Sequence, residues 1–119
     1  MQLTIYHNPA CSKSRKTLEL IENNGIKPNI IEYLKNPPDA ETVIRLAAML
    51  DLNVSEILRT SEAEFLAMLE NAALDDEQAL AAAIATHPKV LQRPIVVDEE
   101  ARKAVIGRPP ENVLELLSK

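Results

Sequence analysis

The first 34 residues alternate between two apolar segments and one helical segment, and this alternation restricts the fold more than any other feature. "LTIY" (3–6) is short, apolar and partly β-branched, which predicts a buried strand. From Ser12, apolar residues recur at helical spacing as far as Asn24-Gly25, a typical helix end. "PNIIEYL" (28–34) predicts a second strand. Strand, helix and strand in this order predict a right-handed parallel βαβ unit.

Helical patterns occupy the middle of the chain. Asp39 is the predicted N-cap of an amphipathic helix, and "NVSEILRT" (53–60) predicts a short helix or turn. Ser61 begins a sequence with the spacing of a capping box. Asp75 is predicted to start an alanine-rich helix that ends at Pro88. The sequence therefore predicts at least three short helices between two β regions.

The last third of the chain returns to strand patterns. "PIVVD" (94–98) and "KAVIG" (103–107) are separated by the polar "EEAR", which predicts an antiparallel hairpin. A final helix is predicted from Pro109, because proline is tolerated in a first helical turn. This order predicts an α/β fold, namely a thioredoxin-like mixed sheet (βαβ, then ββα) with a helical insertion at about 39–88. Residues 1–119 are expected to form a single domain.

Composition argues against several classes of function. The formal net charge of -5 argues against nucleic-acid binding, which needs clustered Lys and Arg. One cysteine excludes a disulfide framework. Only His7 and His87 could join Cys11 as ligands of a Cys/His metal site, so we expect no metal site. No run approaches the roughly 20 apolar residues of a membrane span, and the N-terminus lacks the pattern of a signal peptide. We therefore expect no membrane partner and a cytoplasmic location.

The single cysteine, Cys11, lies between the first predicted strand and the first predicted helix. A helix N-terminus offers unpaired N–H groups and a partial positive charge, which stabilise a thiolate. Lys13 and Arg15 follow within one turn, and the Ser12 and Ser14 hydroxyls are placed to donate hydrogen bonds. His7 is placed to donate a proton or to tune the thiolate. These neighbours predict a reactive thiol. The alternatives are a small buried filler for the cysteine and a solvated helix face for the two cations.

Ser14 occupies the position that a second cysteine takes in a C-x-x-C motif. The sequence therefore offers Cys11 no partner for an intramolecular disulfide. Redox turnover must bring in a thiol from another molecule.

Three arginines lie at predicted junctions between elements. Arg93 and Arg108 each precede a proline beside an apolar strand, at a sheet end where functional groups are commonly presented. Arg59 lies at the turn between two predicted helices. Taken singly, each is most simply a surface charge. If they converge, three guanidiniums would bind a tetrahedral oxyanion through forked hydrogen bonds.

Four segments match a known family from end to end, in order and spacing: "HNPACSKSRKTLELI", "ILRTSEAEF", "QRPIVV" and "GRPPENVLELL". The sequence resembles the glutaredoxin-coupled arsenate reductase family, whose fold is similar to thioredoxin with a helical insertion. The resemblance implies that Cys11 is the nucleophile that attacks arsenate. It also implies that three arginines bind the anion: Arg59, Arg93 and Arg108.

The resemblance further implies the surroundings of the thiolate. His7 and Asn8 match the residues that precede the active-site loop, and together with Ser14 and Arg15 they are predicted to tune the thiolate. Pro94 matches the cis-proline position of thioredoxin-like folds.

The implied reaction converts arsenate to arsenite without a bound cofactor. Glutathione is the implied co-substrate, and glutaredoxin is the implied protein partner. Two alternatives share parts of the pattern: a glutathione-linked thiol oxidoreductase of unknown substrate, and a partner-binding protein like the transcription regulators of a resembling branch. That branch binds RNA polymerase and uses C-x-x-C as a redox switch, so Ser14 argues against its switching mechanism here.

Overall fold

A four-stranded mixed sheet organises the part of the chain that carries Cys11. The computed structural model describes residues 2–59, 63–69 and 76–117. The strands are β1 (Leu3–His7), β2 (Asn29–Glu32), β3 (Ile95–Asp98) and β4 (Lys103–Ile106), in the spatial order β2-β1-β3-β4. β1 and β2 are parallel, whereas β1–β3 and β3–β4 are antiparallel. The predicted βαβ unit, the hairpin and the α/β class are confirmed.

The α-helices among the described residues are α1 (Ser12–Asn23), α2 (Ala40–Leu50), α3 (Ala63–Leu69), α4 (Glu77–Ile84) and α5 (Leu114–Leu117). Short 3-10 helices span Val54–Ile57, Pro88–Val90 and Pro110–Val113. None of the helices in these ranges is both long and apolar enough to cross a bilayer.

The chain divides into two compact units, which are described separately. The first unit comprises Met1–Tyr33 and Arg93–Lys119, and it contains the whole sheet, α1 and α5. The second comprises Leu34–Gln92 and contains α2, α3 and α4. The helical insertion predicted at about 39–88 lies within this second unit.

The core of the first unit forms where α1 and the C-terminal helical segment pack with the sheet. β1 is buried along its whole length because it is a central strand. A cluster of buried aliphatic side chains joins β1, α1 and β3 to the C-terminal segment: Leu3, Ile5, Ile21, Val96, Val113 and Leu116. This packing fixes the end of β1 and the start of α1, between which Cys11 lies.

Two elements of the first unit differ from their predicted extents. β2 ends at Glu32, short of the predicted 34, because the chain turns at Tyr33. The final helix begins as the 3-10 turn Pro110–Val113 before α5. The Asn112 amide there donates to the carbonyl oxygens of Ile106 (3.1 Å) and Arg108 (3.3 Å), which ties this turn to the end of β4.

The second unit is a group of short helices with side-chain caps. Asp39 caps α2 by accepting the Thr42 N–H at 2.8 Å, as predicted. Asp76 caps α4 by accepting the Ala79 N–H at 3.1 Å. The predicted cap was Asp75, which lies outside the described residues, as does Ser61 of the predicted capping box. α4 ends at Ile84, and Pro88 begins the following 3-10 helix.

Candidate active site

The predicted site residues of the first unit meet at the carboxyl end of β1. The sheet register pairs His7 with Glu32 on one side and Tyr6 with Ile95 on the other. The residues that follow β2 and those that precede β3 therefore flank the start of the loop 8–11. Long-range strand pairing, rather than local sequence, assembles this edge of the sheet.

The loop that carries Cys11 is held by backbone hydrogen bonds around Asn8. The Cys11 N–H donates to the Asn8 carbonyl oxygen, and the Ala10 N–H donates to Asn8 Oδ1, each at 3.0 Å. The Arg15 guanidinium donates to the Pro9 carbonyl oxygen at 2.9 Å. Asn8 is buried, whereas Arg15 is exposed. Both side chains thus act on the backbone of the loop and fix the position of the thiol.

Cys11 is the N-cap residue of α1 and is partly exposed. Partial burial by itself raises the pKa of its thiol, but backbone N–H groups of Ser14 and Lys13 and the guanidinium of Arg93 outweigh that effect. The net result is that the pKa of the Cys11 thiol is lowered from its ordinary value. The two N–H groups and the guanidinium favour the anion as donors and as positive charge. This environment is that of a nucleophilic thiol rather than of a buried filler.

Ser14 is fully buried and joins α1 to the end of β1. Its Oγ accepts the Asn8 N–H at 3.0 Å and lies 2.6 Å from His7 Nδ1. The direction of this hydrogen bond is set by the tautomer of the ring, because in a neutral imidazole one nitrogen donates and the other accepts. The Ser14 hydroxyl oxygen therefore contacts His7 and Asn8, and its predicted hydrogen bond to the thiolate stays a prediction. It is the backbone N–H of Ser14 that acts on the sulfur.

His7 is buried and favours the neutral form. Burial lowers the pKa of its imidazole, Glu32 opposes this, and the Arg15 charge adds to the lowering. The hydrogen bond between His7 Nδ1 and Ser14 Oγ holds the two buried side chains together. His7 therefore positions Ser14, the residue whose N–H faces Cys11.

Arg93 and Arg108 are linked through the backbone. The Arg108 guanidinium donates to the Arg93 carbonyl oxygen at 3.3 Å, and both side chains are half-buried. The Arg93–Pro94 and Arg108–Pro109 peptide bonds are both cis. The structure thus brings Cys11, Arg93 and Arg108 into one region of the first unit.

Gly107 lies in the same region, at a position where a side chain does not fit. Its N–H donates to the Pro94 carbonyl oxygen at 2.9 Å. A Cβ atom at this position would lie 2.5 Å from Thr17 Oγ1 and 2.8 Å from Pro94 Cγ. The close approach of β4, α1 and the Pro94 turn therefore requires glycine.

The other predicted residues lie away from these contacts or in the second unit. Lys13 is exposed, so its contribution near Cys11 comes from its backbone N–H. Arg59 follows the 3-10 helix Val54–Ile57 and donates its N–H to the Val90 carbonyl oxygen within the second unit. Its role in anion binding stays a prediction. His87 Nδ1 lies 3.3 Å from Glu64 Oε1 within the second unit.

Tyr33 is a site residue that the sequence interpretation missed. Its side chain is fully buried, and the groups that act on its hydroxyl are the side chains of Arg93 and Asn8 together with the Cys11 sulfur. Burial raises the pKa of the phenol in spite of Arg93, so the hydroxyl stays protonated. The only available signal was the register of β1 and β2, which puts the residue after Glu32 beside the residue after His7.

The arrangement is suited to nucleophilic attack on an anion. A thiol whose pKa is lowered lies beside one guanidinium, and a second guanidinium contacts the backbone of the first. Within residues 2–59, 63–69 and 76–117, no group of three His, Cys, Asp or Glu side chains is arranged to hold a metal ion.

Comparison with known proteins decides the family. The model of the ArsC family matches residues 6–116. The chain is 44% identical over 120 residues to an arsenate reductase of Haemophilus influenzae, a match that covers 98% of this chain and 100% of that protein. The chain belongs to the ArsC family. The predicted membership of the arsenate reductase enzyme family is thereby confirmed.

Two further relatives extend the comparison of this ArsC-family chain. A solved arsenate reductase from Vibrio cholerae is 46% identical, superimposes with a TM-score of 0.87, and is matched over 97% of both chains. This agreement confirms the predicted thioredoxin-like fold. The uncharacterized protein YfgD of Escherichia coli K12 is 45% identical over 118 residues, which is 98% of this chain and 97% of that protein.

Proposed function

We propose that this chain reduces arsenate to arsenite with electrons from glutathione and glutaredoxin, through the Cys11 thiolate. The observation that carries the proposal is the contact of Cys11 with Arg93 at the start of α1, where N–H groups and a guanidinium lower the pKa of the thiol. The names of the relatives from Haemophilus influenzae and Vibrio cholerae support arsenate as the substrate.

In the first step the Cys11 sulfur forms a bond to arsenic, and one arsenate oxygen leaves as water after taking up protons. Arsenic stays pentavalent in this adduct. Two anions must meet in this step, and their repulsion at about 4 Å amounts to several kcal/mol at an effective dielectric constant near 20. Arg93 offsets that repulsion because it lies beside the sulfur.

Arg108 supports the same step from the neighbouring strand end. Its guanidinium contacts the carbonyl oxygen of Arg93 and leaves further N–H donors for an arsenate oxygen. Arg59 is assigned to the anion by the resemblance of "ILRT" alone. Its substitution tests that assignment separately from the residues of the first unit.

Glutathione and glutaredoxin complete the proposed cycle. The glutathione thiol displaces a second oxygen as water and becomes bonded to arsenic. The glutaredoxin thiolate then attacks the glutathione sulfur and forms a mixed disulfide with it. The electron pair of the broken sulfur–arsenic bond stays on arsenic, which becomes trivalent. Water releases arsenite and returns Cys11 as a thiol. The absence of a second cysteine in these 119 residues fits this order, because the oxidised product lies on the two partners. The need for reduced glutathione supports a cytoplasmic location.

The test is arsenate reduction by the purified chain with glutathione and glutaredoxin, and with each omitted in turn. We expect turnover in the full mixture, strong loss when either thiol source is omitted, and none with Cys11→Ser. Arg93→Gln should weaken arsenate binding, whereas Cys11→Ser should keep it. A full mixture without activity, or a Cys11→Ser protein with normal rates, contradicts the proposal.

A glutathione-linked thiol oxidoreductase with another substrate is the second candidate. It is favoured by one observation, namely that the lowered pKa of Cys11 arises from groups that activate a thiol toward any electrophile. Calorimetric titration with arsenate and sulfate separates the two. Binding that depends on Arg93 and Arg108 supports the arsenate reductase, and glutathione-dependent thiol exchange without oxyanion binding supports the alternative.

The partner-binding alternative needs a different measurement. A protein that acts like the transcription regulators would leave its thiol incidental, with an ordinary pKa, and would form a stable complex with RNA polymerase. The donors around Cys11 argue against an incidental thiol. A polymerase pull-down together with a thiol titration distinguishes this candidate from both enzymes.

A further inference from the structure

We propose that Tyr33 is a positioning residue, whose buried hydroxyl orients the Arg93 guanidinium toward the Cys11 sulfur. This deepens the proposed function and rests on it, because it concerns the same thiolate. Neither the sequence motifs nor the family comparison assigned Tyr33 a role. Its place in the fold and its neighbours carry the inference.

The fold places Tyr33 at the edge of the sheet where the thiol loop begins. His7 pairs with Glu32 in the parallel register, so Tyr33 lies beside Asn8 at the ends of β1 and β2. Arg93 approaches the same strand end from the other side, because the antiparallel register pairs Tyr6 with Ile95. Tyr33 and Arg93 are therefore brought to Asn8 from opposite neighbours of β1.

The hydroxyl group is the part of Tyr33 that an apolar core would not need. The side chain is fully buried, and the hydroxyl oxygen completes no hydrogen bond of good geometry with the described residues. A phenol oxygen left in an apolar environment destabilises a fold, so a plain packing role would favour phenylalanine. The groups that face this oxygen are Arg93 and Asn8, and hydrogen bonds of catalytic sites are commonly long before substrate binds.

The chemistry of the three groups makes Arg93 the link. A guanidinium has five N–H donors in a planar fork and no acceptor, so Arg93 has separate donors to offer the Cys11 sulfur and the Tyr33 oxygen. Burial keeps the phenol protonated, so its oxygen offers Arg93 an acceptor without adding a negative charge beside the thiolate. The Arg93 side chain is long and flexible, and a second fixed partner restricts it to orientations that face the sulfur.

The experiment measures the Cys11 thiolate directly and uses no arsenate, so its outcome is independent of the substrate assignment. Tyr33→Phe removes one oxygen and keeps the ring. We expect a higher thiol pKa in the ultraviolet thiolate titration and an iodoacetamide alkylation rate that falls about threefold or more at a pH below that pKa, because alkylation follows the thiolate fraction. Tyr6→Phe is the matched control, since Tyr6 is the other tyrosine of the chain and is also buried, in β1.

A double-mutant cycle shows whether Tyr33 acts through Arg93. In an Arg93→Gln background, Tyr33→Phe should cause no further change in thiol pKa or alkylation rate. A Tyr33→Phe protein that loses stability but keeps the wild-type thiol pKa would show a packing role and overturn the proposal. If Tyr33→Phe changed the thiol pKa equally in the wild-type and Arg93→Gln backgrounds, that result would also overturn the proposal.

A second measurement applies if Tyr33→Phe does not fold. The wild-type chain is labelled with fluorotyrosine, and its two fluorine resonances are assigned with Tyr6→Phe. The Tyr33 resonance should shift on Arg93→Gln and on Cys11→Ser, and the Tyr6 resonance should not. A Tyr33 resonance that ignores Arg93→Gln contradicts the contact on which the inference depends.

Discussion

Ser14 Oγ lies 2.6 Å from His7 Nδ1, and both side chains are buried at the junction of β1 and α1. The same oxygen accepts the Asn8 N–H at 3.0 Å. One hydroxyl therefore satisfies a ring nitrogen and a backbone donor that have left water. Because the N–H of Ser14 acts on Cys11, this pair connects the stability of the junction to the environment of the thiol.

Ser14→Ala removes that hydroxyl and leaves His7 Nδ1 and the Asn8 N–H without their buried partner. An unsatisfied buried polar group costs about 1–3 kcal/mol, so the free energy of unfolding should fall by about that amount. Urea denaturation at neutral pH measures it. Ser12→Ala is the matched control at an exposed position, where we expect a change within about 0.5 kcal/mol. Equal stabilities of the two variants would contradict the buried pair.

His7 makes the fold sensitive to mild acid. Its pKa is lowered in the folded state, mainly by burial, so the unfolded chain binds the proton more readily. The stability that depends on the neutral ring is present above the ordinary histidine pKa of about 6.5 and is lost as pH falls through the lowered folded value. One such proton contributes at most about 1.4 kcal/mol per pH unit.

His7→Asn tests this pH dependence, because the Asn oxygen occupies the place of Nδ1 and does not titrate. The stability of His7→Asn should fall less than that of the wild type as pH decreases below about 6.5. His87→Asn, the same change at the other histidine, should keep the loss of stability at acid pH that is due to His7. Parallel stability curves for wild type and His7→Asn would contradict the assigned neutral ring.

Much of the fold was accessible from the sequence because the relevant patterns are local. The apolar "LTIY", the helical spacing after Ser12 and the two C-terminal strand patterns each lie within one element, and each corresponds to a described strand or helix. The exact ends of the helices and strands were harder to predict from the sequence. Asp76 caps α4 although Asp75 was predicted, because adjacent aspartates give the same sequence signal and only the hydrogen bond to Ala79 distinguishes them.

Site residues could be predicted from the sequence where the residue type itself has a strong chemical meaning. They were missed where the pairing of strands decides which residues meet. Cys11 was predicted to be reactive from a lone thiol at a helix start, whereas the role predicted for Arg93 came from the family resemblance. Tyr33 appears in the sequence as the end of an apolar strand, and only the register of β1 and β2 brings its hydroxyl to Arg93. Ser14 was predicted to tune the thiolate, and its contact with His7 was missed because it depends on the packing of α1 on β1.

The thiolate of Cys11 should make the stability of the wild type depend on alkaline pH. Its folded pKa is lowered, although burial alone raises it, whereas the unfolded thiol keeps an ordinary pKa of about 8.5. The added stability is therefore complete above the unfolded value and is lost as pH falls through the folded value. Cys11→Ser has no such titration, so the difference in unfolding free energy between wild type and Cys11→Ser should increase with pH across this window.

Urea denaturation under reducing conditions, in buffers from neutral to alkaline pH, measures that difference. Arg93→Gln supplies the control, because it removes one of the groups that favour the thiolate. In that background the difference in unfolding free energy caused by Cys11→Ser should depend less on pH. A difference that stays constant with pH would show that the folded chain does not favour the anion.

Gly107→Ala should destabilise the region around Pro94 by steric conflict. The added Cβ would lie 2.5 Å from Thr17 Oγ1 and 2.8 Å from Pro94 Cγ, so α1 or the Pro94 turn must shift. Overpacking of this kind costs about 1–3 kcal/mol, measurable by urea denaturation, and the displacement of Arg93 with Pro94 should also raise the thiol pKa of Cys11. Thr17→Ala removes one of the two conflicts and should restore part of the stability lost in Gly107→Ala.

Gly25→Ala is the matched control for this rescue. Gly25 has a φ of +78° and open space around the position of a Cβ, so alanine there is strained by its backbone and not by contact. Thr17→Ala should therefore not rescue Gly25→Ala, and the two effects should be additive. If Thr17→Ala fails to rescue Gly107→Ala as well, the close approach of α1 to Gly107 is not what requires glycine.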